Sequence, residues 1–230
     1  MKKLFIGIIA AGSALAFASP VSATITISLQ YNNGAVTQVA TDVNGVAAFN
    51  GTFGNAGVGC NSTGANCYSI LTTAQGFPLL AQPSLQTTSL QARSSNGSAA
   101  GTLTVLITQT GLSPIAANFT SGLTNNNQSG SAISAQLTTL LGNAGLANQV
   151  FTANGSSSLT SFSNQAGTFS ETARYVLTFG AGAGSFNDTI NINATAVPEP
   201  ATWGLMLLGF GGVASLLRLR RENTPRIRFA

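Results

Sequence analysis

The chain has 230 residues, room for one domain or two small ones, and only 6% of them are charged against roughly 25% in an average soluble domain. Histidine is absent, which excludes a Ser-His-Asp triad, a Cys-His pair and an imidazole metal site. The net charge of +4 is confined to the ends: between residues 24 and 197, Arg93 and Arg174 stand against Asp42, Glu171 and Asp188, so that stretch is near −1 and offers no phosphate-binding face.

The first 23 residues read as a secretory signal peptide. Lys2 and Lys3 form a positive n-region, residues 4–17 an apolar core, and Val21, Ser22 and Ala23 a small-residue cleavage site, so the cut is expected between Ala23 and Thr24. A cut after Ala18 and an uncleaved N-terminal anchor are the alternatives. Export machinery of the Sec type and signal peptidase are the partners this segment implies.

From residue 24 the pattern has period two. In "TITISLQY" Ile25, Ile27, Leu29 and Tyr31 share one face, and Thr24, Thr26, Ser28 and Gln30 the other. Asn32, Asn33 and Gly34 then tolerate positive φ, which predicts a hairpin, and "DVNG" at 42–45 predicts the next reversal. Cys60 and Cys67 in "CNSTGANC" are expected to form a disulfide in an oxidising compartment, since two thiols with no histidine make an incomplete metal set. Further strands are expected in "GTLTVLITQ", "SAISAQLTTLL", "ARYVLTF" and "SFNDTINI", separated by turns at "SSNGS", "TNNNQSG", "ANGSSS" and "GAGAG". Residues 133–146 fit a helical period as well, with strand preferred. Nine or ten short strands in one body, 24–197, predict an all-β fold, an antiparallel β-sandwich or jelly-roll-like domain. Thirteen phenylalanines and the clear alternation argue against disorder.

Little in the body carries chemistry. Asp42, Glu171 and Asp188 are the carboxylates available for a hydrolytic pair. Glu171 is expected to lie beside Arg174 as a solvated pair and Asp188 to face water among its asparagine neighbours. No catalytic residue, metal ligand or cofactor is assigned, and the expectation is a protein that is not an enzyme. The Asn-x-Ser/Thr triplets are what such a composition yields by chance. The "TIT" and "TLT" triplets have the spacing of some ice-binding faces, but ordinary exposed strands are rich in threonine too.

After Pro198, Glu199 and Pro200 comes an uncharged apolar stretch, residues 203–217, that begins with Trp203. As a helix it reaches about 23 Å, short of the roughly 30 Å hydrocarbon core. A single transmembrane helix over about 203–219 is expected, with Arg218 snorkelling, Trp203 at the outer interface, and Arg218, Arg220 and Arg221 as a cytoplasmic basic stop. Residues 222–230 would then form a cytoplasmic tail.

The composite of Pro198-Glu199-Pro200, Trp203, a Gly-containing apolar helix and an arginine cluster resembles the PEP-CTERM sorting domain, a tail also labelled the ice-binding protein C-terminal domain. The resemblance covers about residues 197–221; Gly204 stands where alanine is common. It implies that residues 198–221 are a sorting signal recognised by exosortase, a membrane-embedded cysteine protease or transpeptidase, with Pro198, Glu199 and Pro200 as the recognition element. The resulting expectation is an exported, non-enzymatic cell-surface or extracellular-matrix protein of the bacterial envelope. It would be tethered with its body outside and then surface-attached or released, with extracellular polysaccharide as a further expected contact. A secreted glycan-binding module, or less favourably an ice-binding one, is the alternative.

Overall fold

The structure is a computed structural model, and it describes residues 23–61, 66–80, 83–197 and 200–222. Among them, eleven strands precede one helix. The strands are β1 (Thr24–Tyr31), β2 (Thr37–Asp42), β3 (Val46–Gly54), β4 (Gly57–Val58), β5 (Cys67–Gln75), β6 (Ser84–Ser94), β7 (Gly101–Leu112), β8 (Ile115–Leu141), β9 (Ala144–Phe151), β10 (Gly155–Gln165) and β11 (Phe169–Ala196), and the helix is α1 (Pro200–Glu222). All strand pairs are antiparallel. They form one sheet in the order β2-β1-β7-β11-β6-β5-β3-β4, with β8 alongside β11 and carrying β9 and β10.

The local chemistry of the hairpins follows the sequence. Asn32 and Asn33 turn the chain at φ 44° and 59°, and Gly45 does so at φ 89°. The Asp42 carboxylate accepts from the backbone N–H groups of Asn44 (2.6 Å) and Val46 (3.2 Å), closing that reversal. Residues 133–146 are extended: they complete β8, turn at Gly142 and enter β9.

Two long strands decide the architecture. Residues 169–179 of β11 lie between β7 and the second half of β8, whereas residues 184–196 lie between β6 and the first half of β8. Between these stretches the register jumps from Phe179 opposite Ala132 to Gly184 opposite Gly130, so residues 180–183 face the single Ser131. Inserting extra residues into one strand bends and twists the sheet. The bend is pinned by the Gly182 carbonyl, which accepts from the hydroxyls of Ser94 and Ser131 at 2.8 Å each. The Gly182 N–H donates to the Ser98 carbonyl at 2.8 Å. "GAGAG" and "TNNNQSG", read from sequence as turns, are thus the interior of continuous strands.

Folded at this bend, the two halves of the sheet face each other. Tyr68 of β5 meets Phe179 of β11 with ring centroids 4.8 Å apart, and Phe179 meets Phe186 at 5.0 Å. The Tyr175 and Thr87 hydroxyls bond across the gap, and Ser121 bonds Thr139 at 2.6 Å within β8 itself. The packed interior expected of a sandwich is therefore built by one nearly closed sheet rather than by two separate ones. Ile25, Ile27, Leu29, Leu103, Val105 and Ile107 line one half, and Ile70, Leu85, Leu90, Ile190 and Ile192 the other. Each is fully buried and contributes roughly 1.5–3 kcal/mol of transfer free energy.

Candidate functional site: interior carboxyls and the C-terminal helix

Glu171 and Asp188 are both fully buried, contrary to the solvated positions expected for them. The reason is phase. Phe169, Glu171, Ala173, Tyr175, Leu177 and Phe179 point inward together, which sends Arg174 to the outside, so Glu171 and Arg174 lie on opposite faces. Asp188 is likewise in step with Phe186, Ile190 and Ile192. The same alternation is readable in the sequence, and it outweighs the polarity of the neighbouring residues. No carboxylate oxygen of either residue has a hydrogen-bond partner among the described residues. Burial without a compensating donor disfavours the charged form, and both carboxyls are pushed up to about 8.

Their surroundings differ. Glu171 sits in register between Gln109 on β7 and Leu141 on β8. Asp188 sits between Leu90 on β6 and Asn125 on β8, whose own side-chain carbonyl is buried and unpartnered. Asp188 also faces Tyr175, and desolvation first, with the Asp188 carboxylate once ionised at high pH among the lesser causes, raises the Tyr175 hydroxyl well above its usual range. Shut off from solvent, two neutral acids in the core have no route to a dissolved substrate. The Asp42 carboxylate is engaged in its turn.

Tyr68 and Tyr175 are buried, whereas Phe162 is 60% exposed. The aromatic side chains expected for a glycan platform are thus mostly core. Desolvation, with Tyr31 alongside, pushes the Tyr68 hydroxyl up to about 12. Thr41, Thr26, Thr108 and Thr172 do fall in one row across β2, β1, β7 and β11. The adjacent row of Gln38, Ser28, Leu106 and Arg174 breaks the pattern, so the face lacks repeated threonine ranks.

The remaining predicted residues are placed as follows. Cys60 and Cys67 are joined by a disulfide, with Cα atoms 5.9 Å apart. Ala23 is buried and Thr24 opens β1, while residues 1–22 lie outside the described residues. Pro198 and Glu199 also lie outside them, and Pro200 begins α1. Trp203 is on that helix and exposed, and Arg218, Arg220 and Arg221 fall in its last turns. Leu205, Met206, Leu207, Leu208, Phe210 and Val213 are exposed as well, on all sides of α1. Among the described residues no helix is long and apolar enough to cross a membrane.

Residues 196–221 match the family described as the PEP-CTERM protein-sorting motif. The chain carries a PEP-CTERM tail. It coincides with α1 and the link before it, so the motif and the helix are one unit set after the last strand. A PEP-CTERM tail indicates export to the cell envelope and sorting there, and it implies exosortase as the processing partner. No curated protein matches the chain.

Proposed function

We propose that this is a non-enzymatic surface or matrix protein, exported through a cleaved signal peptide and held briefly at the membrane by its PEP-CTERM helix. Exosortase then processes the tail and frees or transfers the body. The observation that carries the reading is the match of 196–221 to a sorting motif on a helix whose large apolar side chains are exposed all round. Such a helix is covered by lipid or by another protein, not by water. At 23 residues α1 is about 34 Å long. Its glycines at 204, 209, 211 and 212 and its late arginines lower its apolarity. Marginal anchoring suits a tether that is later cut.

The non-enzymatic part of the reading is supported by where the carboxyls lie, with Glu171 and Asp188 sealed in the core. Delivery and contact through uncharged Ser, Thr and Asn faces is the mechanism that remains. The test is the intact mass of the protein recovered from cells with and without exosortase. Processing is expected to remove the helix and basic stop only where the enzyme is present. A chain still ending at Ala230 in exosortase-containing cells overturns the proposal.

A further inference from the structure

Among the described residues, four strands pair with a single neighbour and so end the sheet: β2, β4, β9 and β10. An open edge presents unpaired N–H and C=O groups, and proteins commonly blunt it with shortness, bulges, charge or proline. Three of these edges are blunted. β4 has two residues and lies beside the Cys60–Cys67 disulfide. β2 has six, ends in Asp42 and pairs with a register shift at Ile27/Ser28. β9 has eight and pairs with a shift at Thr139/Leu140.

β10 has none of these protections. Its eleven residues, "GSSSLTSFSNQ", run against β8 in unbroken register from Gly155 opposite Asn125 to Gln165 opposite Ile115. They include no charge and no proline. Among the described residues its far side takes no backbone partner. Leu159 and Phe162 are 50% and 60% exposed. We propose that β10 is a self-association edge, on which β10 of a second copy adds antiparallel and joins two sheets across a two-fold axis.

Charge and shape select a second copy as the occupant. The mating strand has to be straight, uncharged and of similar length, and β10 itself meets each requirement. Neither β10 nor residues 115–125 beside it carry a charge, so two copies approach without repulsion. A two-fold axis near Thr160, normal to the sheet, keeps the outward set Ser156, Ser158, Thr160, Phe162 and Asn164 on one face of the joined sheet. Main-chain bonds, roughly ten over this length, supply the affinity as in other strand additions. This inference goes beyond the sorting proposal and stands or falls apart from it.

The test is sedimentation velocity of the full chain in detergent micelles across low to high micromolar concentration. A reversible monomer–dimer equilibrium is expected. Thr160→Lys and Thr160→Glu, which the axis sets directly opposite their own copies, should each weaken it by about tenfold or more, while an equal mixture of the two restores it. Val150→Lys, on the β9 edge, should leave it unchanged, and Thr160→Cys should give a disulfide-linked dimer under mild oxidation. Circular dichroism checks that every variant keeps its strand signal. A chain that stays monomeric throughout overturns the proposal. So does dimerisation by both Thr160 charge variants at the wild-type level, which would place the contact elsewhere, on the helix for instance.

Discussion

At Glu171 and Asp188 the interior holds two acids in a form the unfolded chain does not share at neutral pH. Their ordinary values are 4.5 and 3.8, and in the fold both rise to about 8 through desolvation. Below about pH 4 folded and unfolded chains are both protonated and the full stability is present. As pH climbs, the unfolded chain releases its protons first while the folded chain keeps them, so stability drains away until about pH 8 and then levels off. Each carboxyl carries a loss on the order of a few kcal/mol across that window. No histidine titrates there to obscure it. Urea unfolding at pH 5 and pH 8 should therefore give a higher midpoint at the acid end. Glu171→Gln and Asp188→Asn should each flatten the slope, whatever they do to the absolute stability. A midpoint that rises with pH would contradict the assignment.

Among the elements, the bend in β8 and β11 is a place where backbone geometry restricts side chains. Gly130 has φ 65°, and a Cβ there would collide with the Ala183 carbonyl. At Gly184 a Cβ would come 2.6 Å from the Ser131 hydroxyl and 2.7 Å from the Ala132 nitrogen. Gly130→Ala and Gly184→Ala should each cost about 2 kcal/mol or more in chemical unfolding, whereas Gly167→Ala, with open space around it, should be close to neutral. The disulfide acts elsewhere, tying the first residue of β5 to the segment that follows the β3–β4 hairpin. For so short a loop, Cys60→Ser with Cys67→Ser should lower stability by about 2–3 kcal/mol, measured beside the reduced wild type. The strands themselves were legible because Ile25, Ile27 and Leu29, or Tyr175, Leu177 and Phe179, mark period two without ambiguity. The bend was not, because Gly, Ala, Ser and Asn are both turn formers and the residues a sharply bent strand requires. Nor was the sheet's closure, since the Tyr68–Phe179 contact joins positions more than a hundred residues apart. The tail was the easiest part to read: its signal is linear, a motif followed by an apolar run and arginines, and needs no long-range pairing.

Taken whole, the molecule separates a self-contained sheet from an exposed helix. The apolar core is drawn from strands between β1 and β11, and among the described residues α1 contributes none to it. The last backbone bond to the sheet is from the Val197 N–H to the Ala116 carbonyl at 3.0 Å. A chain cut after Val197 should therefore keep every buried contact of the body while losing the apolar surface of the helix. Differential scanning calorimetry should place its transition within about 2 °C of the full chain's, since a surface change far from the core is worth less than about 0.5 kcal/mol. In detergent phase separation the two should differ sharply. The full chain should enter the detergent phase through Trp203, Leu205, Leu207, Leu208 and Phe210, and the shortened one should stay in the aqueous phase. A shortened chain that melts many degrees lower would mean that the helix packs on the sheet. A full chain left in the aqueous phase would mean that its apolar surface is covered by protein instead of lipid, and the tether would have to be abandoned even if the sorting motif is cut.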